Sequence, residues 1–283
     1  MLLLSVSIVV ALLITIAFPI AAGFWLKRKL GVSWRVISYG LLGYFIVQSL
    51  LSLLLNGTAT LVDNGTIPIS EQGFIILQLV LSVLLAAVLG VLIRWMGMKY
   101  LTEKLDTLEA AYGIGVGYGG AESILLVGLP LLMTFISMLS NMNIDPQTTT
   151  LDPGVVAQLE ELWQVPFYFP LAGSLERIAA FVMHITVTVL ILQVFKRKNA
   201  IWIAAALGVE LVVNGLIVGL AQLGLGYGWV ILLTTLLMAA NGYILYRLDA
   251  LKLIVNSFQK NVDGLIPEGM NKEQPDSSSA DMN

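Results

Sequence analysis

The sequence predicts an all-α membrane protein, a polytopic helix bundle of about seven transmembrane helices with the N-terminus outside and the C-terminus inside. Three observations carry that prediction. Of the 283 residues, 58% belong to the set AVILMFWYC and only 12% are charged, against about 25% charged in soluble domains. Several apolar runs exceed the roughly 18 residues that mark a spanning helix, and they are continuous instead of alternating, which excludes a transmembrane β-barrel. The basic residues, finally, fall almost wholly in alternate loops.

Seven apolar segments follow one another at about 2–26, 36–55, 74–97, 110–140, 168–195, 200–221 and 228–247. All are read as helices, because a backbone in lipid must satisfy its own hydrogen bonds. The first has no basic residue before it, runs for about 25 residues and is followed directly by Lys27, Arg28 and Lys29, so it reads as a retained signal anchor. Lys27, Arg28, Lys29 and Arg35 follow the first segment, Arg94, Lys99 and Lys104 end or follow the third, Lys196, Arg197 and Lys198 follow the fifth, and Arg247, Lys252, Lys260 and Lys272 follow the last. The loops at about 56–73, 141–167 and 222–227 hold no Lys or Arg, and the first two carry Asp63, Glu71, Asp145, Asp152, Glu160 and Glu161. The positive-inside rule places the basic loops in the cytoplasm. Arg177 is the one basic residue that this reading leaves inside a span.

The chain divides into a transmembrane bundle over 1–250 and a cytoplasmic tail over 251–283, weakly amphipathic to about Ile266 and then of disordered composition. In the second outer loop Asp152 is placed to cap a short helix beginning at Pro153. Val155, Val156, Leu159, Leu162 and Trp163 share one face of that helix, which is expected to lie on the membrane surface. No nucleotide loop, zinc finger or basic nucleic-acid patch is present, so nucleic acid is not an expected partner. The absence of cysteine excludes disulfides, thiolate metal sites and Cys nucleophiles. The single histidine, His184, excludes a site built from two histidines of one chain.

Ionisable groups inside a membrane are costly, roughly 2.5–3.5 kcal/mol for Asp, Arg or Lys at the helix centre, and are candidates for function. Here they are Glu122, Glu176, Arg177, His184 and Glu210, with Tyr118 and Asn214 nearby, all in the fourth, fifth and sixth segments. Tyr118 and Glu122 are four apart, as are Glu210 and Asn214, while Arg177 and His184 are seven apart, so each pair shares a helix face. The three faces are expected to meet in a common polar interior, with Arg177, a five-donor cation, as its hub. The plain alternative is that Glu176 and Arg177 only anchor the bundle as an ion pair and that His184 is a bonded core residue. Gly113, Gly115, Gly117, Gly119 and Gly120 read as a surface for close helix packing and not as a phosphate cradle.

The stretches YGIGVGYGGAESILL (112–126) and SLERIAAFVMHITVTVLILQVFKRK (174–198), with KRKLGVSWR after the first helix, resemble the YhfC family of bacterial membrane proteins. That family is regarded as a group of intramembrane metallopeptidases similar in logic to the CAAX prenyl proteases and bacteriocin-processing enzymes. The resemblance covers most of residues 1–250 and is most specific in ERxxxxxxH, matched by Glu176, Arg177 and His184. It implies Glu122, Glu176 and His184 as catalytic residues, and Tyr118, Arg177, Glu210 and Asn214 as substrate-facing or supporting ones. It also implies one divalent ion, Zn, Mn or Fe, on His184, Glu122 and Glu210, in a multi-pass protein of the bacterial cytoplasmic membrane. The partners it implies are the lipid bilayer and a transmembrane peptide or protein segment.

The sequence departs from the family pattern at three places. An acidic pair upstream of Arg94 is replaced around Gly90 and Val91, a histidine of the fourth helix by Tyr118, and a histidine of the sixth by Glu210. Tyrosine, with a free pKa near 10, is a poor metal ligand at neutral pH. These departures predict a family fold with weakened or lost peptidase chemistry. Two rival readings are a proton-coupled carrier of small solutes relaying through Glu122, Glu176, Glu210 and His184, and a non-catalytic partner or immunity protein that uses its acidic outer loop.

Overall fold

The computed structural model describes residues 1–101, 107–143, 152–222, 224 and 226–263. Among these residues every regular element is a helix: α1 Leu2–Lys29, α2 Trp34–Asp63, α3 Glu71–Leu101 and α4 Leu108–Ser140, then α5 Pro153–Gln164, α6 Tyr168–Arg197, α7 Ile201–Gln222, α8 Tyr227–Arg247 and α9 Leu251–Asp263. Seven of them, all but α5 and α9, are long and apolar enough to cross a membrane. Each lies on one of the seven apolar segments of the sequence.

Helix ends follow local chemistry. Ser33 caps α2 through Val36 N, Ser70 caps α3 through Gly73 N, and Thr107 caps α4 through Ala110 N. α2 runs on to Asp63, past the end near 55 expected from hydropathy, and the first outer loop shrinks to residues 64–70. Thr58 and Thr60 donate to the carbonyls of Leu55 and Asn56, so these polar residues bond within the helix and do not end it. The short outer helix α5 starts at Pro153 as expected, with Asp152 Oδ1 accepting from Gly154 N at 2.7 Å. Its buried side is narrower than the sequence pattern: Leu162 and Trp163 pack against Leu4, Ile8 and Met138, whereas Val155 is exposed. The disordered tail expected after Ile266, together with Lys104, Asp145 and Lys272, lies outside the described residues.

α6 is the most buried of the seven spans and touches α1, α4, α7 and α8, while α4 packs between α2 and α6. The glycine run makes this possible. A Cβ on Gly117 would stand 2.0 Å from Ile37 O, and one on Gly40 2.1 Å from Ile114 O, so α2 and α4 meet backbone to backbone. On the opposite side a Cβ on Gly115 would lie 2.9 Å from Ile185 Cα. The packing reading of this run holds.

Two prolines are absorbed by widened turns. π-helical turns at Leu13–Ala17 and Ser123–Gly128 come just before Pro19 and Pro130, where a regular ladder would meet a missing N–H and a ring clash. Thr15 O would have accepted from residue 19. Instead it accepts from Ser123 Oγ at 2.9 Å, so a hydroxyl of α4 satisfies a carbonyl that proline orphans in α1. That junction fixes the turn that begins directly after Glu122.

Candidate functional site

The widened turn of α4 carries Glu122 to the centre of the bundle, where α3, α6 and α7 also deliver polar side chains. Arg177 of α6 donates from Nη1 to Glu122 Oε1 at 2.9 Å and from Nη2 to its neighbour Glu176 Oε1. His184, two turns further along the same face, brings Nε2 to 2.8 Å from Glu122 Oε2, although its N–H is not aimed straight at that oxygen. Glu122, Glu176, Arg177 and His184 are thus gathered, as the helical spacing of the sequence predicts.

The other side of His184 belongs to a residue that charge counting misplaces. Arg94 is 1% exposed; it donates from Nη1 to Glu210 Oε1 at 2.5 Å and from Nη2 to His184 Nδ1 at 2.9 Å. Its Cζ lies 3.9 Å from the centre of the Tyr118 ring, a desolvated cation–π contact of a kind worth about 2 kcal/mol. Arg94 is therefore no cytoplasmic loop cation, the polar interior draws on four helices and not three, and Arg177 shares the role of hub. The physical reason is that Arg94 finds a carboxylate, an imidazole and an aromatic face within one guanidinium's reach, so it has no need to extend to the membrane surface. The resemblance singled out Arg94 as a motif position; its place three residues from the end of an apolar run hid it from the charge pattern.

Tyr118 lines the same centre, its ring 5.0 Å from that of His184 and edge-on to Tyr44 at 5.4 Å. Glu210 is 2% exposed and occupies the space opposite Gly90, where a Cβ would stand 3.0 Å from Glu210 Oε2 and 3.3 Å from the Tyr118 hydroxyl. The small residue on α3 is what admits the carboxylate from α7. Asn214, one turn beyond Glu210, is not part of this network. It lines a cleft of about 230 Å³ with Glu122, Glu176 and Arg177.

The residues expected to hold a metal do not converge. Glu122 lies against Nε2 of His184 and Glu210 lies 3.9 Å from Nδ1, so the two carboxylates sit on opposite sides of the ring. Among the described residues no three of His, Cys, Asp or Glu form a group able to hold an ion. Arginine has donors only, so Nδ1 must accept from Arg94, which leaves the ring proton of the neutral imidazole on Nε2 and no lone pair there for a ligand bond. This donor set, with a guanidinium on each carboxylate, does not fit a divalent ion.

Sequence comparison places this core in a known group. A family model described as YhfC intramembrane metalloprotease matches residues 14–237. The chain belongs to the YhfC family. It is 24% identical over 198 residues to a protein named uncharacterized membrane protein YhfC from Bacillus subtilis (strain 168), an alignment covering 67% of this chain and 74% of that one. No solved structure matches the chain. The family match spans α2 to α7 entirely, and with them Arg94, Glu122, Glu176, Arg177, His184 and Glu210.

Proposed function

We propose that this YhfC-family membrane protein holds a membrane-embedded peptide segment in its polar core without efficient hydrolysis. The observation that supports this reading is the engagement of Glu122, Glu176 and Glu210 by Arg94 and Arg177. Hydrolysis needs a carboxylate that positions and deprotonates water, and a polarising partner for the carbonyl. Here Oε1 of Glu122 accepts from Arg177 and Oε2 faces His184, so both oxygens are directed to core groups. The family description implies a metal, and the donor set that would hold one is divided across the two faces of His184. What the core keeps is a fixed polar centre bordered by a cleft.

The orientation proposed with it is N-out and C-in. Thirteen of the fifteen basic residues lie in the loops and tail assigned to the cytoplasm once Arg94 and Arg177 are set aside.

The test uses full-length protein in lipid nanodiscs with a synthetic transmembrane peptide, read by mass spectrometry. The expected result is an intact peptide at every incubation time. Cleavage that disappears in Glu122→Ala or His184→Ala would overturn the non-hydrolytic reading.

A further inference from the structure

Two cavities meet on the flank of the bundle between α3 and α7. The inner one is the cleft already described, whose polar lining is Gln48, Ser82, Glu122, Glu176, Arg177 and Asn214. The outer one is an apolar groove of about 340 Å³, walled by Ile76, Val80 and Leu84 of α3 and by Gly215 and Gly219 of α7. Val83 and Val218 line both, so the two adjoin at these side chains. The groove runs from the centre of the bundle toward the Glu71 end of α3 and ends at Gln222 of α7. Ile76 and Val80 are 61% and 50% exposed, which opens its outer wall to the lipid side.

Size and charge restrict what such a space accepts. The groove is a slot between two packed helices, so its length and its charged inner end set the fit. From Ile76 to Leu84 the groove is about 12 Å long at 1.5 Å per residue, the length of about four residues of extended chain. At its inner end two carboxylates face one guanidinium, leaving one negative charge uncompensated in the lining. Glu176 is bonded only to Arg177, through Oε1, so its second oxygen has no protein partner among the described residues. The Asn214 side chain, half-buried in the same lining, makes no hydrogen bond to the protein among those residues and offers both a donor and an acceptor.

We propose that the α3–α7 groove and its inner cleft form a binding site for an extended peptide segment carrying a primary ammonium at its inner end. About four apolar residues lie along Ile76 to Leu84, the ammonium sits on Glu176, and Asn214 pairs with the adjoining peptide group. This rests on the peptide-holding half of the proposed function and is independent of whether hydrolysis is lost. Gly215 and Gly219, one turn apart on α7, leave the groove wide enough for a backbone, and a Cβ on Gly219 would meet no atom within 4 Å.

The experiment uses the full-length protein in nanodiscs and three fluorescein-labelled peptides of four apolar residues, the dye at the C-terminal end. One has a free N-terminal amine, one is N-acetylated, and one is acetylated but begins with lysine. Binding is read by fluorescence anisotropy, and peptide integrity by mass spectrometry. The two ammonium peptides are expected to bind about tenfold more tightly than the acetylated one, the discrimination given by a charge-assisted hydrogen bond. Glu176→Gln should abolish that preference. Val83→Trp, and separately Gly219→Trp where space is open, should weaken all three. Equal binding of the ammonium and acetylated peptides, no binding at all, or binding untouched by both tryptophan variants would overturn the proposal. Cleavage of a bound ammonium peptide would overturn the non-hydrolytic reading while supporting this site.

Discussion

Replacing Arg94 with leucine isolates the part of the core that is most completely withdrawn from solvent. The guanidinium is 1% exposed and its carboxylate partner Glu210 is 2% exposed, so the change leaves Glu210 without a cation partner among the described residues, only the His184 ring standing 3.9 Å away. Removing one partner of a buried ion pair costs about 3–5 kcal/mol, because the remaining charge is uncompensated. The contact with Tyr118 is lost with it. At about 2–4 °C per kcal/mol for a chain of this order, detergent-solubilised Arg94→Leu should melt roughly 6–20 °C below wild type. Arg177→Leu should cost less, since Glu122 keeps its approach to His184 and the side chain of Glu176, 23% exposed, borders the cleft. The double variant Arg94→Leu with Glu210→Leu should recover most of the loss, as apolar replacement of both members of a buried pair is often neutral or better. The assay is a thermal melt followed by tryptophan fluorescence, with size-exclusion chromatography to confirm a monodisperse sample. An Arg94→Leu loss no larger than that of Arg177→Leu, or a double variant as unstable as the single, would refute the reasoning.

Three further outcomes follow from the packing and the charge pattern. Gly117→Ala puts a Cβ 2.0 Å from Ile37 O, so α2 and α4 must separate; a loss at or above the usual 1–3 kcal/mol of overpacking is expected, seen as a lowered melting temperature, and an unchanged melt would show that the backbones do not touch. Ser123→Ala leaves Thr15 O without its donor and should destabilise by about 1–3 kcal/mol, whereas in a Pro19→Ala background, where residue 19 regains an N–H, the same change should cost less; equal costs in both backgrounds would separate the hydroxyl from the proline. Reporter fusions after Gly65 and after Lys198 should fall on opposite sides of the membrane, the second in the cytoplasm, and finding both on one side would exclude the N-out, C-in arrangement.

The fold was legible because lipid imposes a severe rule on the sequence. Each span must hide its own backbone groups, so seven long apolar runs leave little choice but seven helices. What hydropathy misjudged were the ends. The polar stretch Asn56 to Asp63 reads as loop, yet its threonines bond back into α2 and extend it by two turns. The glycine run was legible for a different reason: five glycines within eight residues of one helix have no use in lipid except close approach, and Gly117 against Ile37 is that approach.

The site was legible only where polarity and periodicity coincide. Glu122, Arg177 and His184 meet because each occupies the polar face of its own helix, and the face rule needs no knowledge of which helices are neighbours. Arg94 breaks that rule. It stands near the end of an apolar run, where an arginine ordinarily reaches the interface, and only the packing of α3 beside α4, α6 and α7 brings the partners that turn it inward. Gly90 and Glu210 share this dependence. Neither residue is informative alone, because a glycine in α3 and a carboxylate in α7 acquire meaning only when a missing Cβ on one is found 3.0 Å from an oxygen of the other. With Gly90 in place the carboxylate that partners Arg94 enters from α7, on the side of His184 opposite Glu122. That placement divides the set that a single ion would need to bring together. The departures that first read as a loss of ligands thus have a structural counterpart: a guanidinium at the centre of the bundle, engaged by Glu210, His184 and Tyr118, and a separate carboxylate, Glu176, left facing the cleft beside α3 and α7.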